Sequence, residues 1–499
     1  MAANTDIRLQ NQVIYSVYVR NHTPEGTFRA VIPDLDRIKA LGTDIIWFMP
    51  IHPIGVQGKK GSLGCPYANR DYRTVNPAYG TMEDFKALVD EIHARGMKCM
   101  IDVVYNHTSP DSTLYAQHPE FFFHGKDGRP GNKIGDWADV IDLDYENRAL
   151  WDYQIGSLKM WAEIVDGFRC DVASFVPLEF WEAARRAVEE VRPGCVWLGE
   201  TVHQSYGCHA RRAGIYSMLD YDVYSAFDIE YDYDTREVFD KYLRGEIALS
   251  HYLDFLNYQE GAYPANYNKL RCLENHDQPR ICAFVKDERA LESYTAFLYF
   301  MKGTTLIYAG QEFKNDHTPS LFEREPIDRA GRDISGLMRR LYEIKSREFG
   351  GADWYEAQAD DAHDIAVCQR GGNGRRFVGV FSLKAESDDA AVPVPDGTYE
   401  NLIDGRSVTV EGGKHMCTET PAACRERFAR IDARLKESEG QLRLHREDIN
   451  QLMVLTARLG EKINMLANSM RALTRALWGV AGAVITALLG FFFWYVQSL

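Results

Sequence analysis

The chain has 499 residues, 45% of them hydrophobic and 26% charged, and carries a formal net charge of −15. This is globular composition with enough length for a large core and accessory domains, and the acidic balance argues against a nucleic-acid partner and fits a neutral substrate. Ten cysteines are scattered without a Cys-x-x-Cys pair, which excludes a small disulfide scaffold and fits a reducing compartment.

The first twelve residues carry Asp6 and Arg8 and no apolar run, so no secretory signal is expected. From Val13 to about Ala309, apolar strand-like runs alternate with helix-like segments. Ile14 to Val19 reads as a strand. Pro33 to Leu41 reads as a helix, with Asp34 and Asp36 in its first turn and Gly42 after it. Asp44 to Pro50 is a strand, Met82 to Arg95 a helix with Thr81 as its N-cap, and Lys98 to Tyr105 a strand. The alternation implies a parallel sheet covered by helices. Over about 300 residues it suits an eight-fold βα barrel, whose chemistry sits at the C-terminal ends of the strands.

Residues 107–145 break this rhythm with Gly, Pro, Asp and aromatics. A long irregular segment leaving a barrel strand usually serves function. From about Gly350 to Lys414 helices stop, and Asp364–Cys368, Arg376–Phe381 and Ser407–Val410 read as short strands with no evident strand after Gly412-Gly413. From Met416 onward, apolar residues such as Phe428, Ile431, Leu435, Leu442, Ile449 and Leu452 recur at spacings of three and four, a pattern expected of a coiled coil. Ala476 to Leu499 carries no charge; as a helix it would reach about 36 Å, enough to span a bilayer. With Arg471 and Arg475 before it, the span would hold the body of the protein in the cytoplasm. The expected organisation is a barrel at 10–345 with an inserted loop domain at 107–145, a sandwich-like β-domain at 346–415, a coiled coil at 416–475 and a transmembrane helix at 476–499.

Four stretches end in polar residues where barrel strands should end: Asp102-Val103-Val104-Tyr105-Asn106-His107, Gly167-Phe168-Arg169-Cys170-Asp171, Trp197-Leu198-Gly199-Glu200 and Leu273-Glu274-Asn275-His276-Asp277. Together they offer carboxylates, histidines and an arginine at one barrel mouth. Glycoside hydrolysis needs such a set, with one carboxylic acid to protonate the leaving oxygen and one carboxylate to trap the sugar cation.

In these four motifs and their order, residues 10–413 resemble the α-amylase family of glycoside hydrolases. The resemblance implies Asp171 as nucleophile, Glu200 as acid/base and Asp277 as transition-state stabiliser. It implies that Arg169 orients Asp171 and contacts substrate, with Asp102 bracing Arg169. His107 and His276 would bond sugar hydroxyls, Tyr67 would stack on the same sugar, and Arg280 would bind sugar. Asn106 matches a calcium ligand of secreted relatives; no cofactor is otherwise required. Ile141-Asp142-Leu143-Asp144 and Gly303 to Glu312 resemble further family segments. The implied reaction is retaining cleavage of α-glucosidic bonds, mainly α-1,4, in maltooligosaccharides or starch-like glucans. Ser174-Phe175 stand where typical α-amylases have Lys-His, and Val172 follows the nucleophile as in some α-1,6-glucosidases. An α-1,6-glucosidase or a transglycosylase therefore remains open, as does a non-enzymatic membrane-tethered subunit. The tail resembles small phage haemolysin or holin-associated membrane proteins, which implies membrane attachment and self-association through the coiled coil.

Overall fold

The computed structural model describes residues 5–415 apart from 135, 136, 353, 373 and 386–389, together with Gly490. Eight parallel strands close into a barrel: β1 (Val13–Val17), β2 (Ile45–Phe48), β3 (Lys98–Val103), β4 (Gly167–Cys170), β5 (Val196–Gly199), β6 (Ile229–Tyr231), β7 (Lys269–Arg271) and β8 (Thr304–Tyr308). Each strand pairs with its sequence neighbours, and β1 joins β8 to complete the ring.

Burial on both faces explains the near-continuous apolar strands, since the barrel interior and the helical shell each claim alternate residues. Ile14, Ile45, Trp47, Met100, Leu198, Ile229, Leu270 and Leu306 fill the interior. Their neighbours Ile46, Phe48, Cys99, Ile101, Cys170 and Trp197 pack outward with the helices. The helix Met82–Ala94 starts where the sequence places it, through a reciprocal capping box between Thr81 and Asp84.

Residues 107–145 lie between β3 and β4. His107–Thr108 pairs antiparallel with Ile141–Asp142, so the excursion begins and ends on one short ladder. After the helix Ser335–Glu348 the chain forms two three-stranded antiparallel sheets. The first is β9 (Trp354–Asp360), β10 (Ile365–Gly372) and β11 (Arg375–Ser382); the second is β12 (Gly397–Glu400), β13 (Ser407–Glu411) and β14 (Lys414–His415). A final strand does follow Gly412-Gly413, both at positive φ, and the turn they form returns Lys414 to pair with Glu411.

The first of these sheets is fastened to the barrel. Phe381 packs against Phe297 and Phe300, and Phe377 against Phe349. Buried Arg370 on β10 donates to the carbonyls of Phe300 and Met301. Buried Lys345 donates to those of Tyr299, Met301 and Gly303. The Tyr299, Phe300 and Met301 carbonyls close the helix Glu288–Phe300, and burial with the neighbouring Arg370 and Arg271 holds the Lys345 amine well below its usual range.

The tail is corrected. Among the described residues no helix is long and apolar enough to cross a membrane; the longest, Arg148–Ala162, has 15 residues. No coiled coil stands among the described elements. The segments 416–475 and 476–499, on which those expectations fall, lie outside the described residues except Gly490. A three-four spacing and an uncharged run are necessary for such elements but do not make them. The membrane anchor, the cytoplasmic placement that depended on it, self-association through the tail and the haemolysin or holin-like resemblance all lapse with it.

Candidate active site

Strand parity builds the site. Leu198 faces the barrel interior, Gly199 faces outward, and Glu200 returns to the interior just past β5; Arg169, Cys170 and Asp171 repeat the sequence at the end of β4. Cys170 and Gly199 are register partners, so Asp171 and Glu200 leave adjacent strand ends side by side.

Arg169 is the centre of the constellation. It pairs across the sheet with Asp102 on β3, and both are fully buried. Its Nη1 donates to Asp102 Oδ1 and Oδ2 at 2.9 and 3.1 Å and to Asp171 Oδ1 at 2.7 Å. Its Nη2 lies 2.7 Å from Glu200 Oε1, in charge contact but not along a hydrogen-bond direction. The guanidinium lies over the rings of Trp47, Tyr231 and Tyr67 at 5.3, 5.4 and 5.6 Å. One cation thus faces three carboxyls with aromatic walls behind it, a desolvated setting in which its charge acts strongly.

Val172 sits at φ 36°, ψ 45°, a left-handed conformation that costs a β-branched residue about 1–2 kcal/mol. The turn it makes aims its N–H at Glu200 Oε2, 2.8 Å away. Strain is therefore stored between the two carboxyls, where it fixes one against the other.

Burial, opposed by Arg169 and reinforced by the charges of Asp171 and Asp277, holds the Glu200 carboxyl well above the ordinary range. Burial likewise pushes Asp102 up to about 7 against the pull of Arg169. Asp171 presents Oδ1 to Arg169, leaving Oδ2 3.9 Å from His107 Nε2. Asp277 is the most open of the three, with its side chain 42% exposed. His276 Nε2 lies 3.1 Å from Asp277 Oδ2 and 2.7 Å from Tyr67 Oη. The Tyr67 hydroxyl donates to Asp102 Oδ2 at 3.1 Å, so it accepts from His276 and the proton of His276 is assigned to Nε2. Burial keeps His276 below its usual range, hence neutral. Tyr67 stacks on His276 with ring centroids 5.4 Å apart.

Asp102, Arg169, Asp171, Glu200, His276, Asp277, Tyr67 and His107 therefore converge on one mouth. Arg280 does not join them. Its guanidinium is fully buried and donates to Glu274 Oε1 at 2.6 Å and to the Ala309 carbonyl at 2.8 Å, an anchor behind the site. Asn106 spends its amide on His107 Nδ1 at 3.2 Å; among the described residues no group of three acidic, His or Cys side chains is placed to hold a metal. The sequence reading missed Trp47, which packs on His276 and under Arg169, and Tyr231, whose hydroxyl accepts from Arg169 Nε at 3.3 Å. Strand parity alone could have placed Trp47 inside; nothing in the sequence marked the turn at Val172.

The sequence model described as "Alpha amylase, catalytic domain" matches residues 10–140 and 134–332, and that described as "Bacterial Alpha amylase C-terminal domain" matches residues 356–423, past the expected boundary at 415. Among curated proteins, the chain is 26% identical over 315 residues to the alpha-amylase MalA of Haloarcula japonica, covering 61% of this chain and 44% of that one. The chain spans about half the length of the first curated relatives it matches. Among solved structures it resembles an alpha-amylase from Lactobacillus plantarum at 42% identity and a TM-score of 0.79, over 82% of this chain and 97% of that one. It also resembles the noncanonic maltogenic alpha-amylase AmyB from Thermotoga neapolitana at 33% identity and a TM-score of 0.73, over 82% and 96%.

Proposed function

Because the chain belongs to the α-amylase family of glycoside hydrolases, we propose that it cleaves α-glucosidic bonds, mainly α-1,4, in maltooligosaccharides or starch-like glucans, with retention of anomeric configuration. The observation that carries this reading is the contact of one buried arginine with Asp102, Asp171 and Glu200 together.

In the first step Asp171 Oδ2 attacks the anomeric carbon while Glu200 gives its proton to the glycosidic oxygen. The carbon–oxygen bond breaks, the shortened chain leaves as an alcohol, and Asp171 holds the sugar as an ester. Arg169 keeps Asp171 aimed by donating to its Oδ1. In the second step Glu200, now a carboxylate, takes a proton from water; the oxygen attacks the same carbon and Asp171 is released. Asp277, at the open edge, faces the charge that develops on the sugar ring. His107, His276 and Tyr67 line the nucleophile's side, where they bind the sugar being transferred.

The test is the anomer formed first. Proton NMR of a maltooligosaccharide digest should show the α-anomer before mutarotation, and Asp171→Ala should abolish turnover with the fold intact. A β-anomer formed first would refute the double displacement. Turnover compared on maltooligosaccharides, isomaltose-type sugars and pullulan decides the linkage.

A further inference from the structure

Two loops that start from β2 and β8, the strands flanking β1, are bound to each other at the rim of the barrel mouth beside β1. The loop after β2 carries Gly61-Ser62-Leu63-Gly64, and the loop after β8 carries Ser320-Leu321-Phe322-Glu323. Leu63 N–H donates to the Phe322 carbonyl at 3.1 Å. Ser62 N–H donates to Glu323 Oε1 at 2.7 Å, and the Ser62 hydroxyl donates to Glu323 Oε2. Beneath them buried Arg20, just past β1, donates to the carbonyls of Gly64, Leu63 and Leu321, tying both loops to one post. The approach is close enough to require glycine. Gly61 sits at φ +64°, and a Cβ there would lie 2.5 Å from Phe322 Cβ and 2.7 Å from Glu323 Oε1. Lys60 extends the tie on the other side, 2.9 Å from buried Asp139 of the insertion.

The position of this bridge gives it meaning. Around the ring β1 stands diametrically opposite β5, and β5 carries Glu200. A group that protonates the leaving oxygen must face the leaving chain, so the retained sugar extends away from Glu200, toward β1. There the bridge lies.

Resting on the glucan-hydrolase reading above, we propose that the Ser62–Glu323 bridge closes the glycone end of the cleft. The enzyme then takes α-glucans by their non-reducing ends and releases short products. Glu323 sets how far the retained segment can reach. Its carboxyl is held below the usual range by the Ser62 hydroxyl and N–H, so the bridge is charged and complete at neutral pH. Neither residue touches the reacting atoms; they act on chain length alone.

The experiment follows maltoheptaose labelled at its reducing end, and amylose, with wild type, Glu323→Ala, Glu323→Gln and Ser62→Ala at matched thermal stability. Wild type should shorten the labelled chain by one short unit at a time, and should release much sugar before amylose loses size. Glu323→Ala should raise kcat/KM on amylose relative to maltotriose about tenfold, a change of about 1.4 kcal/mol, and should yield interior cuts. Glu323→Gln keeps an acceptor for Ser62 N–H and should stay near wild type. Ser62→Ala should shift the ratio in the same direction by less, and decides the matter should Glu323→Ala not fold. Interior cutting by wild type from the first turnover, or an unchanged ratio in Glu323→Ala and Ser62→Ala, would overturn the bridge while leaving the hydrolase reading in place. No turnover of any α-glucoside, activated aryl glycosides included, would overturn both.

Discussion

At the scale of single residues, Glu200 separates what is good for chemistry from what is good for the fold. Its carboxyl is raised by burial and by its acidic neighbours, so the folded protein binds that proton more tightly than the unfolded chain does. Between the unfolded value and the raised one, the folded state alone keeps the proton, and stability falls as pH rises through this window. Glu200→Gln carries a neutral isostere at every pH. It should lose turnover on poor leaving groups on the order of a thousandfold, lose far less on activated aryl glycosides, and melt about 2–4 °C above wild type at pH 8. Scanning calorimetry beside steady-state kinetics checks both halves; a lower melting point would place the raised carboxyl elsewhere. Arg280 stands three residues after Asp277, and Glu274, from the same motif, holds its guanidinium. A sequence records that arginine and carboxylate are near each other in the chain; it does not record which carboxylate the fold buries beside the guanidinium.

At the scale of elements, a basic pair replaces the usual acidic partner. Among the described residues Lys345, on the helix Ser335–Glu348, and Arg370, on β10, pair with no carboxylate; they bond carbonyls of residues 299–303, and Arg370 also donates to Asn11 Oδ1. Lys345→Met would leave those carbonyls short of donors and should cost about 2–4 kcal/mol of stability with kcat unchanged, since the helix lies behind the barrel. Chemical denaturation with parallel kinetics tests this, and a changed kcat would tie the helix to the site. The barrel's strands and their polar ends were legible because burial on both faces forces apolar runs and the chemistry forces their termini. Among the outer strands β10, β11 and β13 were legible, and β9 and β12 were not. β12 is exposed along its length, and β9 alternates exposed residues with inward Tyr355, Ala357 and the partly buried Ala359, so composition there speaks of solvent rather than of sheet. The tail's apolar spacing is one requirement of a coiled coil or a membrane span, and the segment that carries it lies outside the described residues.

At the scale of the molecule, every residue of the site lies between Trp47 and Asp277, and the first C-terminal sheet packs on the barrel's outer helices through Phe381 and Ala357. A chain ending at residue 423 should therefore keep its turnover, measured on the same maltooligosaccharides; loss of activity in a folded truncation would assign the remaining residues a part in the reaction. The buried arginine has a consequence for how the enzyme fails on heating. Its partners and aromatic neighbours come from β2, β3, β4, β5 and β6 or their ends, so the centre of the reaction is also the stopper of the barrel. Such a centre cannot loosen while the scaffold stays closed. Inactivation and global melting should coincide in one step, making residual activity a direct gauge of how much protein is still folded.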